Sequence, residues 1–319
     1  MGAGLTRRPR IRSRERLSRY SSIRIGGPVS AVVSVSTPTE MEEVFFLRSR
    51  GEIPGPLFFS GRGSNILFPD RGFEGTLVRF EPCDLPSACR WEVHGEVYAD
   101  AGYPLPALAR EAARRGVGGF EFLSGIPGTV GGAAVMNAGA GGREWSDLCK
   151  SVTVMHPSGT IETLPAERMG YGYRTSLFAD IRNHGVRESA AGGIPEGAVL
   201  LGALLSGSSS SPEDCLALLT RHLDYRKRTQ PLEEPSLGSV FRNPSDGPSG
   251  YTAGRLIEEA GLKGERRGGI MVSRRHANFF VNTGGGSEQE FRELMDYVAG
   301  RVREHWGIFL EPEVRVWQA

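Results

Sequence analysis

Along the 319-residue chain the spacing of apolar positions switches repeatedly between strand-like and helix-like periods. Ala31-Val-Val-Ser-Val-Ser36 is β-branched and partly alternating, which predicts a strand. Thr37-Pro-Thr-Glu40 looks like a helix start, with Thr39 as the candidate cap for a helix over 40–50. Short buried strands are predicted at Leu57-Phe-Phe59 and Ile66-Leu-Phe68, then a strand over 91–100 and a helix over 105–116. Strands over 151–155 and 160–164 flank Pro157-Ser-Gly159, a hairpin turn, and 198–205 is another apolar strand. After a serine-rich loop over 206–211, Pro212 opens a helix to about residue 228, with Leu216, Leu218, Leu219 and Leu223 inside. The remainder predicts a helix over 252–261, strands over 270–273 and 279–282, and a long amphipathic helix over 287–305. Ser287 and Glu290 have the capping-box spacing there, and a strand over 310–316 ends the chain. The pattern is mixed α/β without repeats, and the proline-rich stretch 230–235 reads as a domain boundary.

Two glycine-rich stretches interrupt this pattern. Residues 122–142 hold seven glycines and almost no charge, yet Ile126, Pro127, Val130, Val135 and Met136 anchor them. Such backbone can pass close to a large ligand and turn amides toward a phosphate or a ring edge. A glycine-rich turn between core strands is the bland alternative, and the spacing is not the GxGxxG of a dinucleotide fold. Ser60-Gly-Arg-Gly-Ser-Asn65, between two strands, is a second phosphate candidate through its amides and the Ser64 and Asn65 side chains. It is equally ordinary turn chemistry.

A net charge of +1 gives no footprint for nucleic acid or an acidic membrane, and no apolar run is long enough to span a bilayer. The start of the chain carries Arg7, Arg8, Arg10, Arg12, Arg14 and Arg16 without an apolar segment, so a solvated, partly ordered tail is expected rather than a secretory signal. Lysine is confined to Lys150, Lys227 and Lys263, so the arginine excess is read as compositional. Cys83, Cys89, Cys149 and Cys215 show no metal-ligand spacing and are expected as reduced thiols. The histidines do not cluster with them, and no metal site is expected.

Among polar residues in apolar surroundings, Ser239 follows a glycine in Gly238-Ser-Val-Phe241, outside any GxSxG elbow, and suits a hydrogen-bond or proton donor as well as a turn. Arg174 lies in Tyr171-Gly-Tyr-Arg-Thr-Ser176, where its planar fork suits a carboxylate, or stacking on Tyr173. Glu311 and Glu313 would share one face of the terminal strand, and alternation does not choose between them. Asn243, Lys263 and His276 flank apolar segments and are individually uninformative.

Eleven segments in order give a resemblance: Arg24-Ile-Gly-Gly-Pro28, Gly63-Ser-Asn-Ile-Leu67, Gly119-Phe-Glu-Phe-Leu123, Gly125-Ile-Pro-Gly-Thr-Val-Gly-Gly132, Met136-Asn-Ala-Gly139, Tyr173-Arg-Thr-Ser176, Gly238-Ser-Val-Phe241, Asn243-Pro244, Ala260-Gly-Leu-Lys-Gly264, His276-Ala-Asn-Phe279 and Leu310-Glu-Pro-Glu-Val-Arg315. Together they resemble the UDP-N-acetylenolpyruvoylglucosamine reductase (MurB) family of peptidoglycan synthesis, in its shorter, type II-like form. The resemblance implies an α+β, FAD-binding fold of the vanillyl-alcohol-oxidase (PCMH) type, with two α/β FAD subdomains and a third α/β substrate domain. The expected segments are a basic tail over 1–20, FAD subdomains over 21–80 and 81–230 (the latter completed by 308–319), and a substrate domain over 231–307.

The implied activity is NADPH-dependent reduction of UDP-N-acetylglucosamine enolpyruvate through non-covalent FAD, by a monomer in the bacterial cytoplasm, without nucleic-acid or membrane partners. Hydride from the flavin would add to the enolpyruvyl alkene. Ser239 would then supply the proton, while Arg174 and Glu313, the latter donating only if protonated, would stabilise the enolate. FAD contacts carry over to Gly61, Gly63, Ser64, Asn65, Ile126, Pro127, Gly128, Thr129, Gly131, Gly132, Asn137, Ala138 and Gly139. Substrate contacts carry over to Tyr173, Arg226, Asn243 and Lys263. Ser21-Ser22, Arg62 within its glycines, and Leu237 before Gly238 depart from the family pattern. The alternatives are an alcohol or sugar oxidase of the same fold and a non-catalytic flavin or sugar-nucleotide binder. No histidine resembles a flavin-attachment motif, and intact Ser239, Arg174 and Glu313 argue against decay.

Overall fold

The computed structural model describes residues 8–82, 84–179, 197–245 and 250–317. Arg7 and Cys83, singled out above, lie outside the described residues. The described chain forms two compact units that each draw on separate stretches of sequence. One comprises the residues up to Ser13 with Ala31–Gly61 and Glu74–Leu223; the other comprises Arg14–Ser30, Arg62–Phe73 and the residues from Asp224 onward.

Most of a four-stranded sheet, in the order Arg10–Arg16, Pro28–Val35, Phe73–Phe80, Leu57–Ser60, lies in the first unit. Arg10–Arg16 is therefore a strand, though its side chains face largely outward. Beside this sheet lies the helix Pro38–Ser49. Its cap is Thr37, whose hydroxyl accepts the Glu40 N–H at 3.1 Å, and not Thr39. Pro38 explains the earlier start, because a proline at the first helical position brings a preset φ and gives up no needed hydrogen bond.

A five-stranded sheet follows, in the order Ile161–Pro165, Cys149–Met155, Val199–Ser206, Glu96–Asp100, Cys89–Trp91, with every pairing antiparallel. The single strand expected over 91–100 is broken because His94 and Gly95 adopt φ of 60° and 78°, which an extended strand excludes. Helix Leu105–Arg114 buries Leu105, Leu108, Ala109, Ala112 and Ala113, a helical stripe facing the core with Phe120, Trp145 and Val152. Ser208–Ser209, expected as loop, pairs with Val117–Gly118. Helix Pro212–Thr229 forms as expected but buries only part of its leucine set: Leu219 and Cys215 are buried, while Leu216 and Leu218 are 40% and 38% exposed.

The second unit is an antiparallel sheet, in the order Ser236–Ser239, Phe279–Asn282, Ile270–Val272, Arg266–Arg267, covered by helices Ala253–Glu259 and Glu288–Trp306. Phe241, Phe280, Phe291 and Val298 fill its core together with Ile23, Ile25 and Leu67 from early in the chain. Ser287 and Glu290 form the expected capping box, and Gly307 closes that helix with φ of 71°. The strand expected over 310–316 shrinks to Arg315–Val316, parallel to Ile66–Leu67. Pro312 makes only an isolated bridge to Phe241, since proline has no N–H for a ladder. Glu311 and Glu313 accordingly share no strand face.

Candidate active site

In the second unit the sequence around Ser239 folds as a clamp. Gly238 has φ of 77°, the left-handed region that a side chain resists, and this turns the strand so that Ser239 pairs with Phe279. Beyond Ser239, Asn278 holds the backbone from three points. Its carbonyl accepts the Val240 N–H at 2.8 Å, its side-chain oxygen accepts the Phe241 N–H at 2.9 Å, and its side-chain nitrogen donates to the Phe241 carbonyl at 2.8 Å. Asn278 is buried, so all three bonds are shielded from water.

Glu313 is fastened to the same stretch, because its N–H donates to the Val240 carbonyl at 2.8 Å. Its own carbonyl accepts the Asn65 side-chain nitrogen at 3.2 Å. Ser22, the departure from the family pattern, donates its hydroxyl to the Ser236 carbonyl at 2.6 Å, while its N–H donates to the Gly63 carbonyl at 3.1 Å. Ser239, Glu313, Asn65 and Gly63 thus converge within one unit. The sequence offers no reason to single out Asn278 beyond its place in His276-Ala-Asn-Phe279. The motif carries the signal, and the side-chain bonds supply its meaning.

Arg226 sits near the end of helix Pro212–Thr229 with its Nε buried and unpartnered among the described residues. Burial pushes its guanidinium down to about 10. Lys263 pairs with Glu258 at 2.6 Å, and Asn243 accepts the Ala253 N–H at 3.0 Å, at the start of helix Ala253–Glu259. Asn243 therefore holds that helix end.

Arg174 belongs to the first unit. It adopts φ of 57°, a costly conformation for a side-chain-bearing residue, and its guanidinium donates to the carbonyls of Gly139 at 3.0 Å and Asn137 at 3.4 Å. It also lies over the exposed Tyr173 ring, 5.0 Å from the centroid, with Glu144 at 4.0 Å. A side chain on Gly139 would collide with the Arg143 carbonyl and press on Arg174. Asn137 is 1% exposed and engaged on every side: its amide nitrogen donates to Glu144 at 2.8 Å and to the Gly172 carbonyl at 3.0 Å, and its oxygen accepts the Ser146 N–H at 2.9 Å. Its structural work is to lock the Tyr173–Arg174 turn onto the glycine-rich segment.

That segment is less loop-like than its composition suggests. Thr129 caps a short helix, Val130–Met136, and Ile126, Pro127 and Gly128 lead into it. The Val130 and Gly131 amides already bond to the carbonyls of Tyr103 and Ala101, at 3.0 and 2.9 Å. Gly132 and Pro127 lie exposed, with Ala138 partly so. The stretch after Leu57–Ser60 differs. No partner is found among the described residues for the amides of Arg62, Gly63, Ser64 and Asn65. A side chain at Gly63 would strike the Tyr20 carbonyl, and one at Gly61 would strike the Thr129 hydroxyl.

Residues 230–317 match the model for the UDP-N-acetylenolpyruvoylglucosamine reductase C-terminal domain, and residues 29–165 match an FAD binding domain. A reductase of that name from Symbiobacterium thermophilum is 39% identical over 97% of this chain and 92% of its own. The chain belongs to the UDP-N-acetylenolpyruvoylglucosamine reductase family.

The Bacillus subtilis UDP-N-acetylenolpyruvoylglucosamine reductase is 33% identical, covering 96% of this chain and 94% of its own. The crystal structure of the Thermus caldophilus reductase superimposes with a TM-score of 0.76 at 33% identity, over 97% of this chain and all of that one. The fold is thus the α+β, FAD-binding type of this reductase family, and membership makes the chain an FAD-dependent oxidoreductase of peptidoglycan synthesis. The residues fit the cofactor on their own terms. Four consecutive open amides beside obligatory glycines, with Arg62 exposed among them, suit a dinucleotide pyrophosphate. Cys89, Cys149 and Cys215 are free, buried thiols away from these residues' hydrogen bonds. Among the described residues no group of His, Cys, Asp and Glu could hold a metal ion.

Proposed function

We propose that this chain reduces the enolpyruvyl ether of UDP-N-acetylglucosamine to the lactyl ether, with NADPH as reductant, Ser239 as proton donor, and Arg174 and Glu313 as the enolate-stabilising pair. The bound flavin would supply the hydride that it takes from NADPH. The observation that carries the reading is the bond from the Glu313 N–H to the Val240 carbonyl, which fixes the Glu313 backbone beside the segment that bears the serine.

A serine hydroxyl is a weak acid, but an enolate is a strong base, and a donor held in place need only be in reach. The Asn278 clamp removes the freedom that a turn serine would otherwise have. Arg174 is held by the Asn137 and Gly139 carbonyls, with the Glu144 carboxylate at 4.0 Å, so its guanidinium is preset in one orientation for a second carboxylate. Arg62 to Asn65 would hold the cofactor's pyrophosphate, and Gly61, Ile126 to Thr129, Gly131, Gly132 and Asn137 to Gly139 are assigned as further FAD contacts. Arg226 and Lys263 would hold the diphosphate of the substrate, with Asn243 and Tyr173 orienting the sugar. The enzyme would act as a monomer in the bacterial cytoplasm, where nucleotide sugars and NADPH are drawn from common pools. Among the described residues no helix is long and apolar enough to cross a membrane.

An anaerobic visible spectrum tests this reading. NADPH should bleach the flavin band, and UDP-N-acetylglucosamine enolpyruvate should restore it rapidly. Bleaching without return would point to another oxidisable substrate, and absence of a flavin band after adding FAD would leave only a binding protein.

A further inference from the structure

The His276 ring is enclosed by neighbours from several elements. The Arg275 guanidinium donates to the carbonyls of Lys227 at 3.2 Å and Gln230 at 3.3 Å, which fastens the turn before His276 to the helix end carrying Arg226. The opposite flank of the ring is helix Ala253–Glu259. A side chain at Gly254 would come within 3.1 Å of the imidazole, so glycine there makes room for it. Phe279 closes a third side edge-on, with centroids 4.8 Å apart. The Nδ1 atom accepts the Asn278 N–H at 3.3 Å, so the neutral ring carries its proton on Nε2.

The charged groups acting on this ring are Lys263 and Arg226, which oppose its protonation, and Glu258, which favours it and is already paired with Lys263. Burial opposes protonation most and, with the two cations, holds the imidazole below its ordinary range. Beside it, the Arg226 Nε and the Gln230 side-chain oxygen are buried and unpartnered among the described residues. A guanidinium withdrawn from water without a carboxylate is costly unless an anion joins it.

We propose that His276 is a proton-linked contact for the substrate's diphosphate, neutral in the free protein and protonated when two negative charges settle between Arg226 and Lys263. This rests on the placement of the diphosphate under Proposed function. The ligand would cancel the two charges that oppose protonation and add attraction of its own, which must outweigh the long 3.3 Å Asn278 N–H bond that Nδ1 accepts only while unprotonated. By reciprocity, protons would then tighten the ligand as much as the ligand tightens the proton.

Isothermal titration of the FAD-loaded protein with UDP-N-acetylglucosamine, in buffers of different ionisation enthalpy, tests it. This probe's diphosphate is esterified at both ends and does not titrate near neutrality. Binding should draw up to one proton per ligand and tighten by up to about tenfold per unit fall in pH within the window between the free and bound pKa. His276→Gln keeps an N–H donor but cannot titrate; it should bind without proton uptake and independently of pH, at an unchanged unfolding temperature. Binding without uptake by the wild-type protein, or equal uptake by His276→Gln, would overturn the inference alone. If the wild-type protein failed to bind, or Arg226→Gln and Lys263→Gln bound undiminished, the placement of the diphosphate would fall, and the inference with it.

Discussion

The N–H of Glu313 donates to the carbonyl of Val240 at 2.8 Å, one residue past Ser239, so the backbones of Ser239, the proposed proton donor, and Glu313 are tied together. Ser239→Ala keeps that bond and removes only the hydroxyl. In anaerobic stopped-flow measurements, flavin reduction by NADPH should keep its rate. Reoxidation by the enolpyruvyl substrate should slow by about 10²- to 10⁴-fold, the range for losing a positioned proton donor. Equal slowing of both half-reactions would remove Ser239 from this role.

Asn278 should matter nearly as much without touching the substrate. Asn278→Ala strands a buried N–H and a buried carbonyl of Phe241, each costing about 1–3 kcal/mol when left unsatisfied. Urea unfolding should show a loss of about 2–4 kcal/mol. Asn278→Asp keeps the acceptor for the Phe241 N–H and should recover part of it. A wild-type stability for Asn278→Ala would mean that the strand is held by other contacts.

Much of this architecture is legible in the sequence, and the exceptions have physical causes. The stripe 105, 108, 109, 112, 113 and the pair Ser287 and Glu290 depend on local rules, and the structure follows them. Thr37 displaces Thr39 as cap because Pro38 fixes the helix start, a choice between neighbouring threonines that pattern alone leaves open. Pro312 cuts short a strand whose apolar alternation looked sound. Harder to read is that residues 14–30 and 62–73 pack with the C-terminal third, because long-range pairing leaves no local trace. Among the site residues, Ser239, Arg174 and Glu313 gain meaning only as motifs taken together. The internal bonds of Asn137 and Asn278 need coordinates, since an asparagine in sequence looks the same whether it meets a ligand or a carbonyl.

Arg174 offers a test of charge against geometry. Arg174→Lys preserves the positive charge but cannot span the Asn137 and Gly139 carbonyls while presenting a fork to a carboxylate. The expected result is a fall of about 10²- to 10³-fold in kcat/KM for the enolpyruvyl substrate, comparable to losing a preorganised oxyanion donor. Flavin reduction by NADPH should be unaffected. Retention of full activity would show that charge alone suffices.

Cys89 should shape stability in alkali. Burial foremost, then the nearby Glu111 charge, pushes its thiol up to about 12 from the ordinary 9.0, so the folded state keeps a proton that the unfolded chain releases. A raised pKa contributes stability that is fully present below pH 9 and is lost as pH climbs toward about 12. Cys89→Ala should therefore lose stability less steeply across that window in pH-dependent urea unfolding. Identical slopes would place the alkaline sensitivity in Tyr103 and Tyr171, whose hydroxyls burial also holds protonated.

Arg226 sets stability against binding. Its guanidinium is withdrawn from water enough to bring its pKa down to about 10, and its Nε has no partner among the described residues. At neutral pH the group is charged in both folded and unfolded chains, so the full desolvation penalty falls on the folded state. Arg226→Met keeps the length of the side chain and removes the charge. The variant should be more stable than the wild type by about 1–2 kcal/mol in urea unfolding, as when apolar groups replace buried charges. Its affinity for UDP-N-acetylglucosamine should fall by about 10- to 100-fold, since a bond to a charged group contributes about 1.5–3 kcal/mol. The two effects have opposite signs, so no general damage to the fold can mimic them. A variant that lost stability and kept its affinity would make Arg226 a structural residue, and the diphosphate would need another host.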